Sequence, residues 1–190
     1  MTKKIKTPAR RGGLPFDKER IVALAEQLYR RHLVGDEHVP GSCLYWTMAV
    51  IDAAGRNGLR LIPQAGTAAF QRLPAHLDDG AETTLTHFSY EWHGGDGLVA
   101  LPDGRTVLPE IHVWAADPAK GEIVDLSTRH LAEMCRLSTG MPWLEAAPPR
   151  FLWARQLPAG WHYAPNREAT ELAVRFALSV IAEGKAGRPR

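Results

Sequence analysis

Apolar residues recur at helical spacing between Lys18 and Leu33, where Ile21, Leu24, Ala25 and Leu28 form one stripe. Asp17 precedes the run as an N-cap and Gly35 follows it, so the pattern predicts a bounded helix. The next run, Cys43 to about Asn57, is apolar nearly all round: Leu44, Tyr45, Trp46, Met48, Ala49, Val50, Ile51, Ala53 and Ala54. A helix of that kind is central and covered on most sides. Ser42 reads as its N-cap and Gly58 as its stop. Leu59 to Gly66 reads as a short strand or extended run, Thr67 to Leu73 as a brief further element and Pro74 to Thr83 as a polar, acidic surface loop.

The pattern then changes period. Thr84 to Trp92 alternates and is rich in aromatics, as a strand should be. Leu98 to Leu101 and Arg105 to Leu108 flank Pro102-Asp103-Gly104, a hairpin signal. Glu110 to Ala116 alternates, Asp117 to Gly121 turns the chain, and Glu122 to Leu126 returns. Ser127 or Thr128 caps a short helix through Leu137, and Ser138 to Arg150 is irregular. Phe151 to Leu157 and Trp161 to Tyr163 predict late strands, and Asn166 caps a last helix from Arg167 to Glu183. Helices, then a central helix, then antiparallel strands make an α+β fold with a helix packed on a sheet.

Length and composition agree with one domain. The 190 residues, 45% hydrophobic and 23% charged, suffice for a real core, and no linker divides them. Residues 14–183 read as that domain, between basic tails at 1–13 and 184–190 that lack a packing pattern and are expected to be disordered. The tails hold eight of the 23 basic residues and no acid, leaving 15 basic against 21 acidic, a net −6 for the body. Nucleic-acid binding asks for a basic folded face, so this distribution argues against it. No apolar run reaches the ~20 residues of a membrane span, and the basic N-terminus lacks the apolar core of a secretory signal. A cytoplasmic protein without membrane contact is the expectation. Two cysteines, Cys43 and Cys135, make no disulfide framework.

The candidate chemistry begins at Cys43. A cysteine in the first turn of a helix meets backbone amides and a dipole that favour the thiolate, the nucleophilic form. On the strand from Glu110, His112 and Trp114 share a face because the strand period is two. Asp125 on the return strand can meet His112 across the ladder. A carboxylate would hold the imidazole in one tautomer and turn its other nitrogen to a thiol. Cys43, His112 and Asp125 are thus candidate nucleophile, base and orienter, against the plainer reading of a small hydrophobe, a structural strand His and a turn residue. Gln64, with the Cys43 N–H, is a candidate oxyanion donor, and Trp46 and Trp114 are candidate pocket walls or ordinary core aromatics.

Gly41-Ser42-Cys43-Leu44-Tyr45-Trp46 with its apolar helix, and His112-Val113-Trp114 followed by Ile123-Val124-Asp125-Leu126-Ser127, resemble the motifs of transglutaminase-like proteins. The resemblance covers roughly residues 40–130. It implies a papain-like core, in which a central helix bearing Cys43 packs on an antiparallel sheet bearing His112 and Asp125. It also implies cofactor-free amidase, peptidase or acyl-transfer chemistry through a thioester, on an amide- or acyl-bearing substrate such as a peptide or protein. The local pattern of papain and cathepsin proteases is absent around Cys43. Some members have lost the triad and only bind, so a binding module on the same fold that recognises a protein or peptide stands as the second reading, with exposed aromatics around Trp92 and Trp143 and the basic tails serving the partner. His87 and His93 lack the paired spacing that a zinc site requires, so no metal is expected.

Overall fold

The computed structural model describes residues 17–32, 42–76, 79–80, 82–95, 97–102, 104, 106–144 and 146–186. The predicted tail at 1–13, the loop before Ser42 and the end of the chain past residue 186 lie outside them. The described residues form an α+β fold, with four α-helices and a mostly antiparallel sheet among them.

Helix α1 (Lys18–His32) starts as predicted, with Asp17 Oδ1 accepting the N–H of Arg20 at 3.2 Å. Helix α2 (Cys43–Arg56) follows, and its near-continuous apolar surface explains its place beneath other elements. Strand β1 (Ile62–His76) is one 15-residue strand, so the separate short elements expected at Leu59–Gly66 and Thr67–Leu73 are joined. It runs through Pro74, where a loop was expected, and pairs with β2 (Glu82–Tyr90) from Ala68 to His76. Pro74 misleads because proline usually breaks strands, and Pro63 is a second proline within β1. Both sit where β1 pairs on one flank only, with β5 at Pro63 and with β2 at Pro74, the position a sheet tolerates.

A small hairpin, β3 (Val99–Ala100) and β4 (Thr106–Val107), precedes β5 (His112–Asp117) and β6 (Glu122–Asp125). A 3₁₀ turn, Ser127–His130, leads into α3 (Leu131–Thr139), which ends on Gly140 at φ 71°. Strands β7 (Leu152–Ala154) and β8 (His162–Pro165) and helix α4 (Arg167–Ala186) complete the chain. Helix α4 reaches Ala186, so residues 184–186 of the predicted C-terminal tail are helical.

The sheet order is β2-β1-β5-β6-β7, with β8 also pairing with β1. At Gly66, β1 passes from β5 to β8. A Cβ there would run into the Ala164 carbonyl and the Asn166 N–H, so glycine is required by close backbone approach. Asn166 caps α4 as predicted: its Oδ1 accepts the Ala169 N–H at 3.1 Å, and its own N–H donates to the Ala65 carbonyl at 2.8 Å.

Alternation along β5 and β6 divides the core. Ala115 and Val124 meet α1 and α2 in a cluster with Ile21, Val22, Leu28, Trp46 and Val50. Trp114 joins the opposite cluster with Phe70, Phe88, Leu131, Trp161 and Tyr163. A third cluster, at the start of α2, gathers Cys43, Leu44, Ala65 and Val113 with Ala169 and Ala173 of α4.

Candidate active site

One hydrogen bond brings the start of α2 to the start of β5. Thr47 lies one turn after Cys43 on the same helix face. Its hydroxyl donates to the Val113 carbonyl at 3.0 Å, a buried bond that fastens α2 to the strand. The strand begins one residue earlier, at His112. Ser42 does not cap as expected. It is itself in the helical region, at φ −62° and ψ −14°, so its hydroxyl makes no cap bond; that hydroxyl interacts instead with the phenol of Tyr29. The Ser42 carbonyl accepts the Trp46 N–H at 3.0 Å.

His112 is buried, with 1% of its surface exposed, and its Nε2 lies 2.7 Å from Asp125 Oδ2. The pairing is diagonal: β5 and β6 run antiparallel with Ala115 opposite Val124, so His112 and Asp125 fall on one face, two residues out of step. The other ring nitrogen, Nδ1, is buried and has no hydrogen-bond partner by strict geometry. Burial alone would push the imidazole towards neutrality. The Asp125 carboxylate more than reverses this, Cys43 adds a smaller effect in the same direction, and the ring is raised to about 10.

Asp125 is the most heavily bonded side chain of the site. Oδ2 also accepts the Tyr163 hydroxyl at 2.7 Å, while Oδ1 accepts the Ser127 N–H at 2.8 Å and its hydroxyl at 2.7 Å. Burial would raise the carboxyl. His112, Ser127 and Tyr163 outweigh it and hold Asp125 below the usual carboxylate range. Ser127 and Thr128 therefore do not cap the following helix: Ser127 closes an Asx turn onto Asp125, and Thr128 donates to the Pro149 carbonyl at 2.8 Å.

Aromatic rings box the imidazole. Tyr90 stacks on it at 5.0 Å and 20°, and Phe70 meets it edge-on at 5.8 Å. Cys43 and Tyr90 both line a cavity of about 820 Å³, with Ser42, Glu110 and Ser127 near them. Leu108, Ile111, Leu131, Met134 and Phe176 supply apolar wall to the same cavity.

Trp46, Gln64 and Trp114, expected at the pocket, do not line this cavity. Trp46 stacks on Tyr29 at 3.7 Å in the α1–α2 core. Trp114 is fully buried, and its indole N–H donates to Gln64 Oε1 at 3.0 Å across the β1–β5 ladder. Gln64 thus holds a tryptophan, because the ladder places the two residues opposite each other. Trp92 and Trp143 are half-buried, Trp143 packing on Trp161, rather than exposed for a partner. Among the described residues no group of three His, Cys, Asp or Glu side chains is placed to hold a metal, and no helix is long and apolar enough to cross a membrane.

Tyr90, Tyr163 and Thr47 escaped the sequence reading, and Ser127 was read there as a helix cap and not as a partner of Asp125. Tyr90 and Tyr163 alternate within predicted strands, but only the pairing of distant strands shows that both face His112 and Asp125.

No family model and no curated protein matches the chain. A solved structure, titled only as a genomics target, is similar at 15% identity and a TM-score of 0.44, over 89% of this chain and 74% of that one. The chemistry of the site therefore rests on its own geometry.

Proposed function

We propose that this protein is a cofactor-free, thiol-dependent acyl-transfer or amide-hydrolysing enzyme on a papain-like, transglutaminase-like core. The observation that carries the reading is a buried imidazole with one nitrogen bound to a carboxylate at 2.7 Å and the other without a hydrogen bond of strict geometry, with Cys43, at a helix start, as its neighbour. A buried ring nitrogen without such a bond is costly, and a site that protonates and deprotonates a neighbouring sulfur gives it a use.

In the proposed mechanism the Cys43 sulfur adds to an amide or acyl carbonyl. The C–S bond forms as the C=O electron pair moves onto oxygen. The imidazole, raised so that it carries a proton at neutral pH, gives that proton to the departing amine as the C–N bond breaks. A thioester remains on Cys43. Water or an amine then attacks it, delivering its proton to His112 as the C–S bond breaks, which restores the thiolate–imidazolium pair from which the cycle began. Asp125 stays ionised, holds Nε2–H and steadies the positive ring, while Tyr163 and Ser127 fix its orientation. The apolar wall of Leu108, Ile111, Leu131 and Phe176 suits an uncharged acyl group or side chain of a peptide or protein substrate.

The test is intact-mass measurement after brief exposure to p-nitrophenyl acetate. Wild type gains one acetyl group, on the Cys43 peptide, and Cys43→Ala gains none. An unmodified wild type, or acetylation that survives in Cys43→Ala, sinks the reading.

A further inference from the structure

Acyl transfer puts a full negative charge on the carbonyl oxygen in the transition state, and a donor aimed at that oxygen contributes strongly to the rate. Gln64, the side chain expected to help, is committed to Trp114. Tyr163 is committed to Asp125. We propose that the Tyr90 hydroxyl donates a hydrogen bond to the oxyanion formed when Cys43 is acylated; the proposal rests on the thiol mechanism above.

Three features support this role. Tyr90 is the last residue of β2 and lines the same cavity as Cys43, so the residue borders the space where an acyl group on Cys43 would lie. Its ring is fixed in orientation. It stacks on His112, Phe88 packs against it at 5.1 Å and 66°, and Phe70 meets it edge-on at 6.4 Å and 88°. A donor held this way loses little freedom at the moment of reaction. Finally, the phenol keeps its proton: burial pushes its ionisation up, and the negative charges of Cys43, Asp125 and Glu110 push it further in the same direction.

In the step itself the C–S bond forms, the carbonyl electron pair moves to oxygen, and Tyr90 O–H bonds to that oxygen without giving up its proton. When the intermediate collapses, the pair returns and the leaving group departs.

Two reactions at Cys43 separate this role from mere support of His112. Acetylation by p-nitrophenyl acetate passes through an oxyanion, whereas alkylation by iodoacetamide does not. Both rates are measured on the full chain of wild type and Tyr90→Phe, which keeps the stacked ring and loses only the O–H. Acetylation is expected to fall about 10²- to 10³-fold, the loss typical of an oxyanion donor, with alkylation unchanged within about twofold. If both rates hold, Tyr90 is no donor. If both fall together, its role is to position His112 and the proposal is overturned. A wild type that alkylates at Cys43 but never acetylates overturns the thiol mechanism itself, which the wild-type arm reveals separately.

Discussion

On the helix-covered face of the sheet, Ala115 and Val124 meet Ile21, Leu28, Val50 and Ala53 through hydrocarbon alone. One residue along the same strands, His112, Trp114 and Asp125 turn to the opposite face, where an imidazole and a carboxylate are buried among Phe70, Tyr90 and Tyr163. The strand period of two separates these jobs at no cost in length. One face supplies burial, worth about 1.5–3 kcal/mol for each large side chain. The other holds charge where it is expensive, and Asp125 offsets that with four accepted hydrogen bonds. A molecule built for stability alone would put hydrocarbon on both faces.

The sharpest way to break the comparison is to unpair the charge. Asp125→Ala leaves His112 buried without its carboxylate and should cost about 3–5 kcal/mol in urea unfolding. It should also change the shape of stability against pH. The folded imidazole is raised and the folded carboxyl lowered, so their contribution is fully present between about pH 4 and 6.5, the unfolded values. It is lost as pH climbs through about 10 for His112, and as pH falls through the depressed value of Asp125. Asp125→Ala should flatten both limbs.

Ile21→Ala on the helix face should cost a similar about 2–5 kcal/mol, because Ile21 is 1% exposed. It should lower the whole pH–stability curve without reshaping it and leave the Cys43 alkylation rate unchanged. A reshaped curve in this variant would mean that the two faces are not independent.

Tyr163→Phe sharpens the comparison on the charged face. Losing a hydrogen bond to a carboxylate should cost about 1.5–3 kcal/mol. Asp125 then ionises less readily, so the acid limb should move to higher pH in melts followed by circular dichroism. Thr47→Val, at the joint between the faces, should cost about 1 kcal/mol. It should also slow Cys43 alkylation, since Thr47 fastens the helix start to the strand.

Much of this was legible in the chain. The alternation from Glu110 to Ala116 and the return at Glu122 put His112 and Asp125 on one face before any coordinates, because a hairpin fixes its own register. Asp17 and Asn166 were readable as caps because capping is local. Ser42 has the same chemistry and fails as a cap, because it is drawn into helical geometry with its hydroxyl beside Tyr29. Gln64 was readable as a polar side chain near the right strands, yet its partner is set by the β1–β5 register. Tyr90 and Tyr163 needed the whole sheet: each approaches His112 on a strand far from it in sequence, and no local pattern announces that.

The central claim is that His112 activates the Cys43 sulfur. The most direct measurement is the rate of iodoacetamide alkylation at pH 7, read by mass spectrometry at Cys43 and Cys135 in wild type and His112→Ala. Cys43 should react faster than a free thiol while Cys135, buried beside Thr139 and Met141, stays unlabelled, and His112→Ala should slow Cys43 at least about tenfold. Equal Cys43 rates in the two proteins would contradict the account.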